Sequence, residues 1–201
     1  MSSHADPPIV ARPTLQGERV RLRPPLPRDK ADRLALGRDP EFVFLVGGDT
    51  HNLAPLTPER VQRWYTDVAQ SPHSWNIDVD GRCIGNARLH SLNEHDRRAR
   101  YAIGIFDAAC WGYGYGTEAT RLVLAYAFDT LQLHRVDLRV LAVNQRAIAS
   151  YEKCGFVREG VERDSALIDG VWHDDLIMSI LEHEWRNHGP TTDEVDDPRP
   201  G

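Results

Sequence analysis

The stretch Ala109–Ala119, "ACWGYGYGTEA", most narrows the folds open to this chain: Gly112, Gly114 and Gly116 stand at alternate positions between a strand-like run and a helix-like run. A strand that ends in such a turn and opens a helix exposes backbone N–H groups at the positive end of the helix dipole, a ready site for phosphate or pyrophosphate. The competing reading is a tight turn that needs positive φ. Two nucleotide-binding motifs are excluded. No Gly-x-x-x-x-Gly-Lys-Ser/Thr is present. A dinucleotide fingerprint begun at Gly112 would need its third glycine at Thr117, and its strand would have to open the domain rather than follow three earlier strands.

The flanking segments supply the layers. Val20 and Leu22 alternate with arginines in "RVRLRP", a strand closed by Pro24 and Pro25. "RDKADRLALGRDPEFVFLVGG" predicts a helix followed by a less regular segment, and "TPERVQRWYTDVAQ" a second helix with Pro58 at its first position. Trp75, Ile77 and Val79 alternate up to Asp80-Gly81, a dipeptide favoured in two-residue hairpin turns, and "RCIGNARLH" returns as the partner strand. Tyr101, Ile103 and Ile105 share one face of a further strand. After the glycines, "TEATRLVLAYAFDTL" carries Ala119, Leu122, Val123 and Tyr126 at helical spacing. "HRVDLRVLAV" then alternates again. Asn144 caps a short helix, "RAIASYEKC", that Gly155 stops in the left-handed region, and the chain closes as a hairpin about Asp169-Gly170. Strands before helices, with one strand–helix–strand crossover, predict an α/β (α+β) layer fold with a mixed sheet.

Residues 1–13, with Pro7, Pro8 and Pro13, and residues 187–201 lack apolar periodicity and predict flexible tails around a single domain at 14–186. A net charge of -6 speaks against a phosphate-backbone binder, so no nucleic-acid partner is expected. No apolar run approaches the roughly 20 residues of a membrane span, and "MSSHADPPIV" lacks signal-peptide features, which predicts a cytoplasmic protein with no membrane partner. Cys83, Cys110 and Cys154 form no Cys-x-x-Cys pair and predict reduced thiols. His173, Asp174 and Asp175 have metal-ligand chemistry, but neighbours on a strand point to opposite faces, so no metal is expected.

Together, "WGYGYGTEA", "LQLHRVDLRVLAVNQRAIASYEKCGFVREG" and "DGVWHDDLIMSIL" resemble the GNAT acetyltransferase superfamily, in the branch of ribosomal-protein N-terminal acetyltransferases and polyamine N-acetyltransferases. The resemblance covers Leu15 to Arg186 and is strongest from Tyr101 onward. The superfamily's pyrophosphate loop reads Gln/Arg-x-x-Gly-x-Gly/Ala; here Trp111 holds the Gln/Arg place, and Gly114 and Gly116 the glycine places. The resemblance implies acetyl-CoA as cofactor and a mostly antiparallel sheet with helices on both faces. The pantetheine arm would lie between two splayed parallel strands. It further implies that the loop Trp111, Gly112, Tyr113, Gly114, Tyr115, Gly116 and Thr117 binds the cofactor, with backbone N–H groups from about Tyr113 to Thr117 on the pyrophosphate. Asn144 would contact the pantetheine or its amides, and Tyr151 would sit near the thioester sulfur. A backbone N–H from Ile103 to Ile105, where the family has a bulge, would meet the oxyanion.

Acetyl transfer to an amine requires a neutral nucleophile, a stabilised oxyanion and a proton for the departing thiolate. A phenol, with its pKa of about 10, can donate that proton, which is the role implied for Tyr151. Spacing alone makes Tyr151 a packed aromatic three residues beyond Ile148. The base has no assignment: relatives often carry Glu where Ala102 stands. That leaves a water chain, Glu94, His95 or Asp96 in the preceding loop, or a residue of the N-terminal helices. Glu118, in the first turn of its helix, is either a cap or a substrate contact. Cys110 and Cys154 lack an identifiable activating group, so direct attack in a ternary complex is expected.

Two acceptors compete. A protein N-terminus needs an open groove for extended backbone, whereas a polyamine needs carboxylates spaced along a pocket. Asp39, Glu41, Asp49 and Glu59 are available for the second role or form a solvated acidic face. Other small amines stay open. So does a non-catalytic acyl-CoA-binding module, which the missing Glu at Ala102 favours and Tyr151 opposes. A homodimer paired through exposed sheet edges is compatible with such a domain.

Overall fold

The computed structural model describes residues 6–51 and 53–188. Its eight strands form one sheet in the order β1-β2-β3-β4-β5-β6-β8-β7. The strands are β1 (Leu15–Gln16), β2 (Arg21–Arg23), β3 (Ser74–Val79), β4 (Arg82–Asn93), β5 (Arg98–Ile105), β6 (Arg135–Leu141), β7 (Val157–Ile168) and β8 (Val171–Leu181). All neighbours are antiparallel except β5 and β6. The helices are α1 (Asp29–Leu36), α2 (Pro40–Leu45), α3 (Pro58–Gln70), α4 (Tyr115–Ala125), α5 (Gln145–Lys153) and α6 (Glu182–His188). The mixed, mostly antiparallel sheet with helices on both faces is the expected architecture. Among the described residues no helix is long and apolar enough to cross a membrane.

Period-two alternation sorts the two faces of the sheet. Trp75, Ile77, Ala87, Leu89, Tyr101, Val136 and Leu138 pack with Ala119, Val123 and Leu124 of α4 in the main core. On the opposite face, β3 buries polar residues instead. Arg23 donates to both carboxylate oxygens of Asp29 at 2.7 and 2.8 Å and to Asp78 at 2.6 Å, and the Asn76 amide donates to Asp29 at 2.7 Å. All four side chains are buried. This paired network fixes the start of α1 over β2 and β3, because each buried charge meets an opposite one.

The segment after α1, expected to be irregular, forms the short helix α2. Asp39 caps it by accepting from the Phe42 N–H at 2.8 Å, and Pro40 supplies a pre-set φ at its first position. Thr57 and Pro58 start α3 in the same way. The described part of the expected N-terminal tail, residues 6–13, is held to the layer. Val10 donates to the Ala69 carbonyl at 2.9 Å, and the Arg12 guanidinium reaches the carbonyls of Val68, Ala69 and Ser74. Residues 1–5 and 189–201 lie outside the described residues.

Candidate active site

The sheet opens at its one parallel pair. Strands β5 and β6 pair only at Arg98↔Arg135, Ala99↔Val136 and Arg100↔Asp137; beyond these, β5 stays with β4 and β6 with β8. The Phe106 N–H donates to Ile84 of β4, while the Ile105 carbonyl faces the other way and accepts from the Trp111 indole at 3.0 Å. Alternation therefore turns the N–H groups of Ile103 and Ile105 toward the open edge. The bulge implied by the resemblance is not seen there. From Gly85↔Ile105 to His90↔Arg100 the register is unbroken, and the shifts fall between His90 and Asn93 and between Ile77 and Asp78.

The splay forms part of a cleft of about 920 Å³ that includes Ile103, Ile105, Trp111, Gly112, Gly114, Tyr115, Gly116, Thr117, Asn144 and Tyr151. Of the residues expected to bind the cofactor, Tyr113 alone does not line it; the residue is 63% exposed and its ring stacks on Tyr115. Gly112 (φ 85°) and Gly114 (φ 80°) take left-handed conformations, and Gly114 is the N-cap of α4. No side chain caps α4, whereas Asp39, Thr57 and Asn144 cap α2, α3 and α5. A Cβ at Gly112 or Gly116 would meet nothing within 4 Å. The first turn of α4 thus offers uncapped N–H groups beside bare glycine surface, which fits a pyrophosphate.

Glu118 is a brace rather than a wall of the cleft. Its Oε1 accepts the N–H groups of Arg19 and Val20 at 2.8 and 2.9 Å, and Oε2 accepts from Arg19 Nε at 3.1 Å. Arg19 Nη1 also donates to the Tyr113 carbonyl at 2.9 Å. Gly17 is required by this arrangement, since a Cβ there would lie 2.4 Å from Glu118 Oε1. The β1–β2 turn thereby anchors the glycine turn.

Asn144 accepts from the Ala147 N–H at 3.1 Å, which leaves its amide nitrogen available on the cleft. Tyr151 is 8% exposed and packs edge-on against Tyr101 and Phe156. Burial, followed by the nearby Cys154, pushes its phenol well above the ordinary tyrosine pKa. It is therefore a neutral O–H donor at physiological pH. Tyr101, deeper in the wall, meets Thr120 Oγ1 at 3.0 Å.

The opposite wall escaped sequence reasoning. Asn86, Arg88 and His90 share one face of β4, Ala102 and Gly104 lie beside them on β5, and Phe42, Trp64 and Asp67 line the same cleft from α2 and α3, with Arg88 and Asp67 exposed. Burial, then Arg88 and Arg100, lower the His90 pKa against the pull of Asp137. The polar alternation of "NARLH" was the available signal, but nothing in it shows that helices cover that face. Glu94, His95 and Asp96, the loop candidates for the base, do not line the cleft; Asp96 instead closes the β4–β5 turn with Asn93.

None of Asp39, Glu41, Asp49 and Glu59 lines the cleft either. Asp39 caps α2, Glu41 pairs with Arg146 at 3.4 Å, and Asp49 accepts from the Asp169 N–H. His173 packs against Phe44, Asp174 accepts from the Asp164 N–H, and Asp175 pairs with Arg139 at 2.9 Å. Among the described residues no cluster could hold a metal ion. Burial pushes the Cys83 thiol up to about 12 and raises that of Cys110, so neither is an activated nucleophile.

A glycine turn at an uncapped helix start, opening on a splayed parallel pair, defines a cleft suited to a phosphate-bearing ligand. The family described as "Acetyltransferase (GNAT) domain" matches residues 19–157, and the chain belongs to it. Among its relatives is the Bacillus subtilis protein named Probable N-acetyltransferase YjcK, 28% identical over 175 residues, which are 83% of this chain and 96% of that one. Another is the ribosomal protein uS5 alanine N-acetyltransferase of Escherichia coli, 26% identical over 130 residues, 49% of this chain and 67% of that protein. The fold is also that of spermidine N-acetyltransferase from Vibrio cholerae, solved with CoA and spermine. The TM-score is 0.70 at 24% identity, covering 85% of this chain and 99% of that one. The protein is an N-acetyltransferase, and enzymes of its family use acetyl-CoA.

Proposed function

We propose that a single domain at 14–186 transfers the acetyl group of acetyl-CoA to a primary amine by direct attack, with both substrates in the cleft. The observation that carries this is the uncapped start of α4 at Gly114, which opens on the same cleft as the β5–β6 splay and Tyr151. Acetyl-CoA supplies an activated acyl group on a thiol leaving group. The backbone N–H groups from Tyr113 to Thr117 hold its pyrophosphate, and Trp111, Gly112, Gly114, Tyr115 and Gly116 shape the loop around it. Asn144 orients the pantetheine while it caps α5. The N–H groups of Ile103 and Ile105, on the open edge of β5, stabilise negative charge on the acyl oxygen. Tyr151 donates its phenolic proton to the departing thiolate and is reprotonated, by way of water, with the proton that the attacking amine gives up as the amide forms.

The acceptor amine enters from the wall of Arg88, Asp67 and Trp64, which line the cleft opposite the glycine turn. The absence of any of the four acidic candidates from the cleft weakens the polyamine reading. Release of CoA across a panel of N-terminal peptides, spermidine and small amines tests the proposal, with acetylated product detected by mass. Turnover is expected. Binding of acetyl-CoA without turnover would identify a binding module, and no binding would remove the glycine-turn reading. The exposed edge strand β7, with Val157 and Val161 on its surface, is the edge through which a homodimer would pair, which sedimentation tests.

A further inference from the structure

We propose that the acetyl acceptor carries an anionic group, a carboxylate or a phosphate, close to its amine, and that the Arg88 guanidinium holds it. This rests on the acetyltransferase reading of the cleft. Arg88 lines the cleft and stands directly across the ladder from Ala102, so β5 presents no carboxylate to it. No described residue forms an ion pair with Arg88. Two other arginines of the cleft are already engaged: Arg139 with Asp175 and Glu162, and Arg146 with Glu41 and, at 4.0 Å, the Trp111 ring. A guanidinium left open in a substrate cleft presents a planar fork that matches carboxylate or phosphate oxygens two at a time.

The rest of the wall points the same way. Asp67 and Asp175 are the carboxylates that line the cleft, and Asp175 is paired with Arg139. A polyamine would bring several ammonium groups to a wall with one carboxylate outside an ion pair and a facing guanidinium, a like-charge contact that selects against it. The field of Arg88 already acts on its neighbour, since after burial it is the next cause of the lowered His90 pKa. Position sets the size of the acceptor. Residues opposite each other in an antiparallel ladder have Cα atoms about 5 Å apart, so Arg88 lies within a side chain's length of the Ala102–Ile103 peptide at the open edge. The anionic group is therefore only a few bonds from the amine, as in an amino acid, a peptide with an acidic first residue or an amino-alcohol phosphate.

The test measures kcat/KM by mass detection of acetylated product with matched acceptors. A tetrapeptide amide led by glutamate is set against the same peptide led by glutamine, and phosphoethanolamine against ethanolamine, with spermidine alongside. The first pair reports a carboxylate and the second a phosphate. The full-length enzyme should prefer the anionic member of at least one pair by about tenfold or more, the size of a charge-assisted hydrogen bond. Arg88→Gln should bring that ratio close to one, and Arg88→Lys should restore part of it. Retained acetyl-CoA binding by calorimetry shows that the variants are folded. Equal rates within both pairs, a higher kcat/KM for spermidine than for every anionic acceptor, or a preference that survives Arg88→Gln would each overturn the inference. Acetyl-CoA binding without turnover of any of these amines would overturn it and leave the cofactor reading standing; no acetyl-CoA binding would overturn both.

Discussion

The glycine-turn wall of the cleft, from Trp111 to Thr117, offers its partner main chain: left-handed glycines, uncapped N–H groups and a strand edge. The facing wall, from Phe42 and Trp64 across to Arg88 and Ala102, offers side chains from two helices and two strands. A main-chain surface constrains its residue types, because only glycine takes such φ angles freely and lets a ligand approach the backbone. A side-chain surface can change its chemistry one residue at a time while the sheet beneath it stays the same. On the proposed reading, the first wall holds the cofactor common to the family and the second carries what is particular to this enzyme.

The sharpest way to break this division is Tyr151→Phe, which removes one oxygen from the glycine-turn side. If Tyr151 is the acid, kcat should fall about 10²–10⁴-fold while acetyl-CoA affinity changes only a fewfold. An unchanged kcat in steady-state assays would move the proton donor to the facing wall. Asp29→Ala acts under that facing wall instead. It strips Arg23 of a bidentate partner in a buried network and should cost about 3–5 kcal/mol of unfolding free energy in urea titrations. A loss under about 1 kcal/mol would show that the helical layer does not depend on the network. Gly114→Ala is smaller. A Cβ at φ 80° costs about 1–2 kcal/mol and also approaches Arg19 Nη2 to 3.2 Å. It should raise the acetyl-CoA KM and leave the acceptor KM alone; equal changes in both would mean that the two walls are not independent.

The same division explains what could be read before the structure was known. Asp80-Gly81, the Asn144 cap and Gly155 are local signals, and the chain obeys them, with φ of 51° at Asp80 and 92° at Gly155. The glycine turn is local as well. Helix α2 was missed because six residues are too few to show periodicity, although Asp39-Pro40 carried a capping signal. The Glu118 brace joins residues 99 apart, and no spacing rule predicts that Arg19 would meet it. Arg88 and His90 were visible only as the polar phase of a strand. Their place in a cleft depends on how α2 and α3 cross the sheet, which is decided by packing and by the buried Arg23–Asp29 pair rather than by any motif.

The smallest effect concerns protons, and it separates the walls because His90 belongs to the facing one. Burial lowers the pKa of His90 and of His73, with Arg88 and Arg100 beside the first and Arg12 beside the second. A depressed folded-state pKa means that the unfolded chain takes up the proton first as pH falls. The stability held by each neutral imidazole is thus fully present above the unfolded value near 6.5 and is lost as pH drops through the folded value. The carboxylates held low by partners, Asp78, where the Arg23 hydrogen bond and charge outweigh burial, and Glu159, brought down to about 2 by its Arg135 hydrogen bond, release their share only below about pH 4.5. Urea midpoints should therefore fall between pH 8 and pH 5.5, and His90→Gln should make that fall shallower. An unaltered slope in the variant would mean that Asp137, which pulls the other way and is held by Arg100 at 2.7 Å, already offsets the two arginines. The facing wall would then be less positive than its residue content suggests.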